Sequence, residues 1–321
     1  ISASTLGQGE QPPRLLIGPI TEASQGMLYG PEGIGKTLLA FELGLGLACG
    51  DSRLRHPDPA LSPQWPAACA APVLYVAGEM HATELAKRAV LGGERQHGDR
   101  FRVLSNSQLW RASKRTINIA RAADQEMLRA EASACGAKLI ILDNLDTLTS
   151  GINENDKTAL EPINRWLLSF RYDGIATLQV HHAAWKGNPR GSTVRGTPLD
   201  YRITLSGATT ADPLIDLGKP AHFTVSFNKV RENLGRLVRP FSMQLIDGKW
   251  QFRSVLEAKE HQLLDIMEVT GTFEWRPIAE EMNVTRSTLY RLKNSLTAQG
   301  LWEWKVPRGG ARPGAGRKAK T

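Results

Sequence analysis

Cysteine is scarce in this 321-residue chain. Cys49, Cys69 and Cys135 stand alone, with no C-x-x-C spacing. An odd, scattered set excludes a disulfide framework and a cysteine-based zinc site, and points to a reduced, cytoplasmic setting. Apolar runs of membrane-spanning length are missing, and no signal-peptide pattern is read, so no membrane partner is expected. Acidic residues fall short of basic ones, 32 against 40, which leaves a net charge of +8. A basic balance of this size favours an anionic partner, most often nucleic acid. The excess is uneven: from Lys305 to Thr321 there are six basic residues and no acidic ones. The N-K-x-D pattern is also absent, which disfavours a guanine-specific site.

The most informative segment is Gly30-Pro31-Glu32-Gly33-Ile34-Gly35-Lys36-Thr37, which satisfies G-x-x-x-x-G-K-[ST] at every fixed position. Gly26–Tyr29 before it reads as a buried strand, and Leu38–Leu43 after it as a helix start. Strand, glycine-rich turn and helix form the context that makes the pattern a phosphate cradle. The glycines let the backbone wrap closely enough for N–H groups to face phosphate oxygens, and the helix N-terminus adds positive potential. Residues Gly30 to Leu38 are the candidate nucleotide-binding set. Within it, Lys36 is expected to reach the β- and γ-phosphates and Thr37 to hold Mg²⁺ beside ATP.

Strand and helix patterns alternate along the chain, which predicts an α/β fold with a mostly parallel sheet flanked by helices. Strands are expected at 26–29, 73–77, 139–142, 175–180 and 223–227, and helices at 36–48, 82–91, 116–134 and 158–171. The proline-rich stretch 51–72 reads as a surface insertion, and 183–198 as a mobile basic loop. Asp247-Gly248 between alternating apolar segments predicts a hairpin that closes the first domain. The expected organisation is a flexible segment 1–13, an ATPase domain 14–253, a linker 254–258, a small domain 259–306 and a disordered basic tail 307–321.

Hydrolysis of a nucleotide needs further groups. Leu139-Ile140-Ile141-Leu142-Asp143 is an apolar strand ending in a carboxylate, a Walker B pattern in which Asp143 helps to hold Mg²⁺. The strand at 73–77 runs into Gly78-Glu79, placing Glu79 at the carboxyl edge of the sheet as the candidate general base. The strand at 175–180 runs into His181-His182, candidates for sensing the terminal phosphate.

Taken in order, the P-loop, Gly78-Glu79, Leu139–Asp143, His181-His182 and Arg190-Gly191-Ser192 resemble the RecA-like ATPases, with most likeness to the plasmid RepA-type hexameric replicative helicases and their DnaB and KaiC relatives. The resemblance covers roughly residues 14–252. It implies a ring, usually of six subunits, with ATP at subunit interfaces and DNA in the central channel. It also implies basic groups supplied by the neighbouring subunit. Arg190 lies where the RepA-type pattern has its finger, and Lys229 and Arg231 resemble the K-x-R of DnaB-type ATPases. Trp185, Lys186 and Arg195, in the loop after the histidines, combine an aromatic with cations and are candidates for stacking and phosphate contact with DNA.

From residue 259 the pattern changes to three short helices with a tight turn before the third, then a strand at 301–306, which reads as a winged helix-turn-helix. Arg286, Thr288, Tyr290, Arg291 and Lys293 on the third helix are candidate DNA contacts, with Ser287 as its cap and Leu289, Leu292 and Leu296 toward the core. Arg308, Arg312, Arg317 and Lys318 in the tail would add salt-dependent, sequence-blind affinity. Protein docking is the other use of such a module. The expected function is an ATP-hydrolysing DNA motor, a ring-forming helicase of a plasmid, phage or mobile element. The alternatives are an ATP-switched DNA-binding regulator, a RecA/RadA-like recombinase and a KaiC-like signalling ATPase.

Overall fold

The computed structural model describes residues 12–55, 65–91, 93–153, 156–182, 199–207, 221–231, 234–254, 258–271, 273–299 and 301–302. The chain divides into two compact units, 1–255 and 256–321.

The larger unit is built on a nine-stranded sheet. A two-stranded ribbon, β1 (Leu15–Ile17) and β2 (Ile20–Thr21), precedes it. The sheet strands are β3 (Gln25–Gly30), β4 (Val73–Ala77), β5 (Phe101–Ser105), β6 (Leu139–Asp143), β7 (Ala176–His182), β8 (Tyr201–Gly207), β9 (His222–Val230), β10 (Phe241–Ile246) and β11 (Lys249–Ser254), in the spatial order β11-β10-β9-β8-β3-β7-β6-β4-β5. Strands β8, β3, β7, β6, β4 and β5 run parallel, and β9, β10 and β11 continue the sheet antiparallel. The helices of this unit are α1 (Lys36–Cys49), α2 (Ala82–Ala89), α3 (Asn106–Ser113), α4 (Ala122–Ala134), α5 (Leu145–Leu148) and α6 (Lys157–Tyr172).

Strands β4 and β6 are apolar runs buried along their whole length because both faces are covered, whereas the central β3 and β7 are also buried but carry Gln25, Thr177 and Gln179 inside. Leu139 and Ile141 of β6 pack with Leu39 and Leu43 of α1 in one core. Their neighbours Ile140 and Leu142 pack with Leu128 of α4 and Leu167 and Phe170 of α6 in a second. The sheet is thus sandwiched between helices, and both clusters hold the carboxyl edge of the parallel strands in place.

Two local expectations in this unit need correction. The stretch 51–72 is not purely a surface insertion: Leu54 and Trp65 are fully buried, and the Trp65 indole donates to Leu237 O at 2.7 Å and meets Phe241 edge-on at 5.0 Å. The helix expected at 116–134 begins only at Ala122, because the buried Asp124 side chain accepts from the backbone N–H of Asn118 at 2.9 Å and pulls the preceding segment into a turn. Strands β1, β2, β5 and β8 and helices α3 and α5 lie outside the expected set. The hairpin at Asp247-Gly248 forms, with both residues at positive φ (49° and 73°), as a type I′ turn requires.

The smaller unit contains α7 (Ala258–Thr270), α8 (Trp275–Glu281) and α9 (Arg286–Ala298) around Leu263, Met267, Ile278, Leu289, Leu292 and Leu296. The cap of α9 is Thr285, whose side chain accepts from Thr288 N, rather than Ser287. Leu301 and Trp302 are not in a strand, and 303–306, the remainder of the expected wing, lie outside the described residues.

Candidate functional site

The P-loop joins the end of β3 to the start of α1. Gly35 is the N-cap of α1 at φ 110°, with no side-chain cap, so the first N–H groups of the helix face the loop. A Cβ on Gly35 would lie 2.8 Å from Ala221 Cβ, and one on Gly30 would lie 2.7 Å from Leu205 O. Gly33 sits at φ 72° in open space. The glycines therefore serve different needs: close approach at Gly30, conformation at Gly33, and both at Gly35.

Lys36 turns back into the loop. Its ammonium donates to Gly30 O at 2.9 Å and Pro31 O at 2.7 Å, and stands 3.1 Å from His182 Nδ1. Burial holds its pKa below the usual lysine value, opposed by the charges of Asp143, Asp146, Glu32 and Glu79. Thr37 donates its hydroxyl to Asp143 Oδ1 at 3.3 Å. The second oxygen of Asp143 accepts from the Tyr75 hydroxyl at 2.5 Å. Burial pushes the Asp143 carboxyl up, and these two hydrogen bonds draw it part of the way back.

Strands β4, β6 and β7 end side by side, which brings distant residues together. Ala77 is paired with Asp143, and Gly30 with His182. A cleft of about 210 Å³ is lined by the P-loop, Glu79, Arg88, Asp143, Asn144 and His182. The two histidines separate. His182 faces the cleft, with Asn144 Nδ2 at 3.0 Å from its Nε2, whereas His181 is fully buried with its Nδ1 2.9 Å from Asp146 Oδ1.

Lys229 and Arg231 lie elsewhere. Val230 pairs with Tyr201, which pairs with Gly26, so this end of β9 is level with a point four residues, about 13 Å, below Gly30 at the opposite edge of the sheet. Arg231 is held there by Asp200, at 3.6 Å. Burial, then the like charges of Arg231 and Arg202, lower the Lys229 pKa. Arg190, Trp185, Lys186, Arg195, Arg308, Arg312, Arg317 and Lys318 lie outside the described residues.

A family model described as an AAA domain matches residues 2–188, more than half of the chain. The chain belongs to that family. No curated protein sequence matches. Among solved structures, a KaiC-like protein from the hyperthermophilic archaeon Pyrococcus horikoshii OT3 is similar, with a TM-score of 0.52 and 15% identity over 75% of this chain and all of that one. At that identity the likeness concerns the fold, which is RecA-like. The chain is a P-loop ATPase of the AAA-domain family.

For an ATPase of this family the residues present suit Mg²⁺. Thr37 and Asp143 offer two hard oxygen donors side by side in the cleft. Few protein oxygens suffice, because Mg²⁺ keeps several of its waters. Among the described residues no cluster of three or more His, Cys, Asp or Glu is arranged for a metal. No described helix is long and apolar enough to cross a membrane.

Four residues of the ATPase site escaped the sequence reading. Tyr75 holds Asp143. Asn144 holds His182. The Thr147 hydroxyl donates to Glu79 Oε1 at 2.7 Å. Arg88 of α2 lines the cleft with its Nη1 buried and without a hydrogen-bond partner among the described residues. Only Arg88 carried a signal in the sequence: a cation on the helix that follows Gly78-Glu79.

In the smaller unit, Arg286, Tyr290 and Arg291 of α9 are exposed and Thr288 is half-buried. Arg286 lies 4.7 Å over the Trp275 ring, and Lys293, half-buried, lies 4.6 Å over the Phe273 ring.

Proposed function

We propose that this P-loop ATPase is a DNA motor: a ring, of six copies by its RecA-like resemblance, that hydrolyses ATP at its subunit interfaces to unwind duplex DNA in a replicative setting in the cytoplasm. The observation that carries the reading is the separation of the basic pair from the cleft. Lys229 and Arg231 stand at the sheet edge away from the chain's own Lys36, so a role in hydrolysis requires a second copy, with one copy's basic pair completing another's site. The placement of Arg190 in the sequence adds a third candidate for that task.

Within one copy the roles divide as follows. Lys36 moves from the loop carbonyls of Gly30 and Pro31 onto the phosphate oxygens, exchanging neutral acceptors for charged ones. Bound Mg²⁺, held by Thr37 and through water by Asp143, would supply further positive charge to the β- and γ-phosphates. Glu79 takes a proton from water as the water oxygen bonds to the γ-phosphorus and the bond to the bridging oxygen breaks, releasing ADP and phosphate. His182, next to the 183–198 segment in sequence, links the state of the cleft to that segment. Trp185, Lys186 and Arg195 there are proposed to grip single-stranded DNA.

The smaller unit supports a DNA partner by its helix-turn-helix arrangement and the exposed Arg286 and Arg291. The same unit also favours a second reading, an ATP-switched DNA-binding regulator that does not unwind. Unwinding of a forked duplex that is lost in both Lys36→Ala and Glu79→Gln supports the motor. ATP-dependent DNA binding without unwinding refutes it and favours the regulator.

A further inference from the structure

Glu79 is held by a neighbour. Its Oε1 accepts from the Thr147 hydroxyl at 2.7 Å, although the two residues are 68 positions apart. Thr147 lies on α5, a single turn whose own anchoring is firm: Leu145 is 2% and Leu148 0% exposed. The same turn is capped by Asn144, whose Oδ1 accepts from Thr147 N at 3.0 Å and whose Nδ2 faces His182.

The approach of α5 to Glu79 is built into the backbone. Gly78 donates its N–H to Asp143 O at 2.6 Å. A Cβ on Gly78 would lie 3.1 Å from Thr147 Cβ and 3.3 Å from Leu148 Cγ. The missing side chain at Gly78 is therefore what lets α5 sit against the end of β4, close enough for the hydroxyl to reach the carboxylate. Glu79 is otherwise exposed, and a long exposed side chain samples many rotamers. One short hydrogen bond from a rigid turn restricts it.

We propose that Thr147 is the positioning residue for Glu79, an inference that rests on Glu79 as the general base. The hydroxyl fixes Oε1, leaves Oε2 to receive the water proton, and ties the base to the turn that also orients His182. Misplacing a reacting group by about 1 Å costs roughly a hundredfold in rate, so the hydroxyl has a measurable share in turnover and none in nucleotide affinity.

The test compares Thr147→Val, Thr147→Ser and Glu79→Gln in the full chain, by steady-state ATP hydrolysis with Mg²⁺ and by thermal melting. Thr147→Val keeps the shape of the side chain, and its expected effect is a kcat loss of about 10- to 100-fold with KM for ATP within about twofold. Thr147→Ser restores most of the rate. In a Glu79→Gln background Thr147→Val costs nothing further. Should Thr147→Val fail to fold, Thr147→Ala carries the same comparison. Wild-type turnover in Thr147→Val, a serine variant as slow as the valine one, or a loss that adds to that of Glu79→Gln would each overturn the inference while leaving Glu79 in its role. Wild-type turnover in Glu79→Gln overturns the base assignment itself.

Discussion

Replacing Tyr75 with phenylalanine removes one oxygen atom from the buried face of β4, next to the edge strand β5, and nothing else. The ring is fully buried, in edge contact with Phe41 at 5.2 Å and tilted against Phe101 at 6.0 Å, contacts that phenylalanine keeps. What is lost is the hydrogen bond to Asp143 Oδ2. A hydrogen bond to a charged acceptor contributes about 1.5–3 kcal/mol, and its loss leaves part of a buried carboxylate unpaired. At roughly 2–4 °C per kcal/mol for a domain of this size, Tm should fall by about 3–12 °C near neutral pH. The pH dependence follows from the direction of the Asp143 shift. Burial raises this carboxyl above its usual value and Tyr75 opposes the rise, so Tyr75→Phe raises it further. A carboxyl whose folded pKa is raised favours the folded state most when protonated, and that benefit is lost as pH rises through its ordinary value toward the folded one. The Tm deficit of the variant should therefore shrink in acid. Only the ionised carboxylate can serve Mg²⁺, so the acid limb of the ATPase pH profile should move to higher pH. Melting curves and pH–rate profiles of the two proteins measure both effects. An equal Tm loss at every pH with an unmoved acid limb would refute the reasoning.

Asp143→Asn removes the buried charge and keeps a hydrogen-bonding oxygen, so without nucleotide or metal it should melt at or above wild type, while Mg²⁺-dependent hydrolysis falls by about 10- to 100-fold; a clear drop in Tm would contradict this. Gly35→Ala meets both a positive φ and a 2.8 Å contact, whereas Gly33→Ala meets the φ alone; binding of a fluorescent ATP analogue should be lost in the first and weakened less in the second. Lys229→Ala and Arg231→Ala should bind nucleotide normally yet turn over slowly. Mixing Arg231→Ala with Lys36→Ala should raise hydrolysis above the sum of the two alone, and no gain on mixing would argue against sharing of sites between copies.

The parts of the site legible in the sequence are those whose chemistry is written locally. The P-loop, the Leu139–Asp143 strand and Gly78-Glu79 each carry strand, turn and functional residue in one short segment, and the parallel sheet then aligns their ends. Tyr75 was hidden because a tyrosine inside an apolar strand reads as core, which it also is. Thr147 reaches Glu79 because Gly78 lets α5 approach β4, and Asn144 reaches His182 because β6 and β7 end side by side, tertiary closeness that no local pattern encodes. Trp65 was missed for a similar reason: its segment has prolines and no period, yet the indole fills the space over Gly18, where a Cβ would lie 2.8 Å from the ring. Strand β8 alternates buried and half-buried residues through Arg202 and Thr204, and its polar members mask one of the two strands that flank the P-loop strand.

The most direct test of the account is steady-state ATP hydrolysis by the full chain with Mg²⁺, measured with and without single-stranded DNA, with Lys36→Ala as the blank. A DNA motor predicts strong stimulation of the wild type and none of the blank. Hydrolysis that single-stranded DNA leaves unchanged would contradict the central claim.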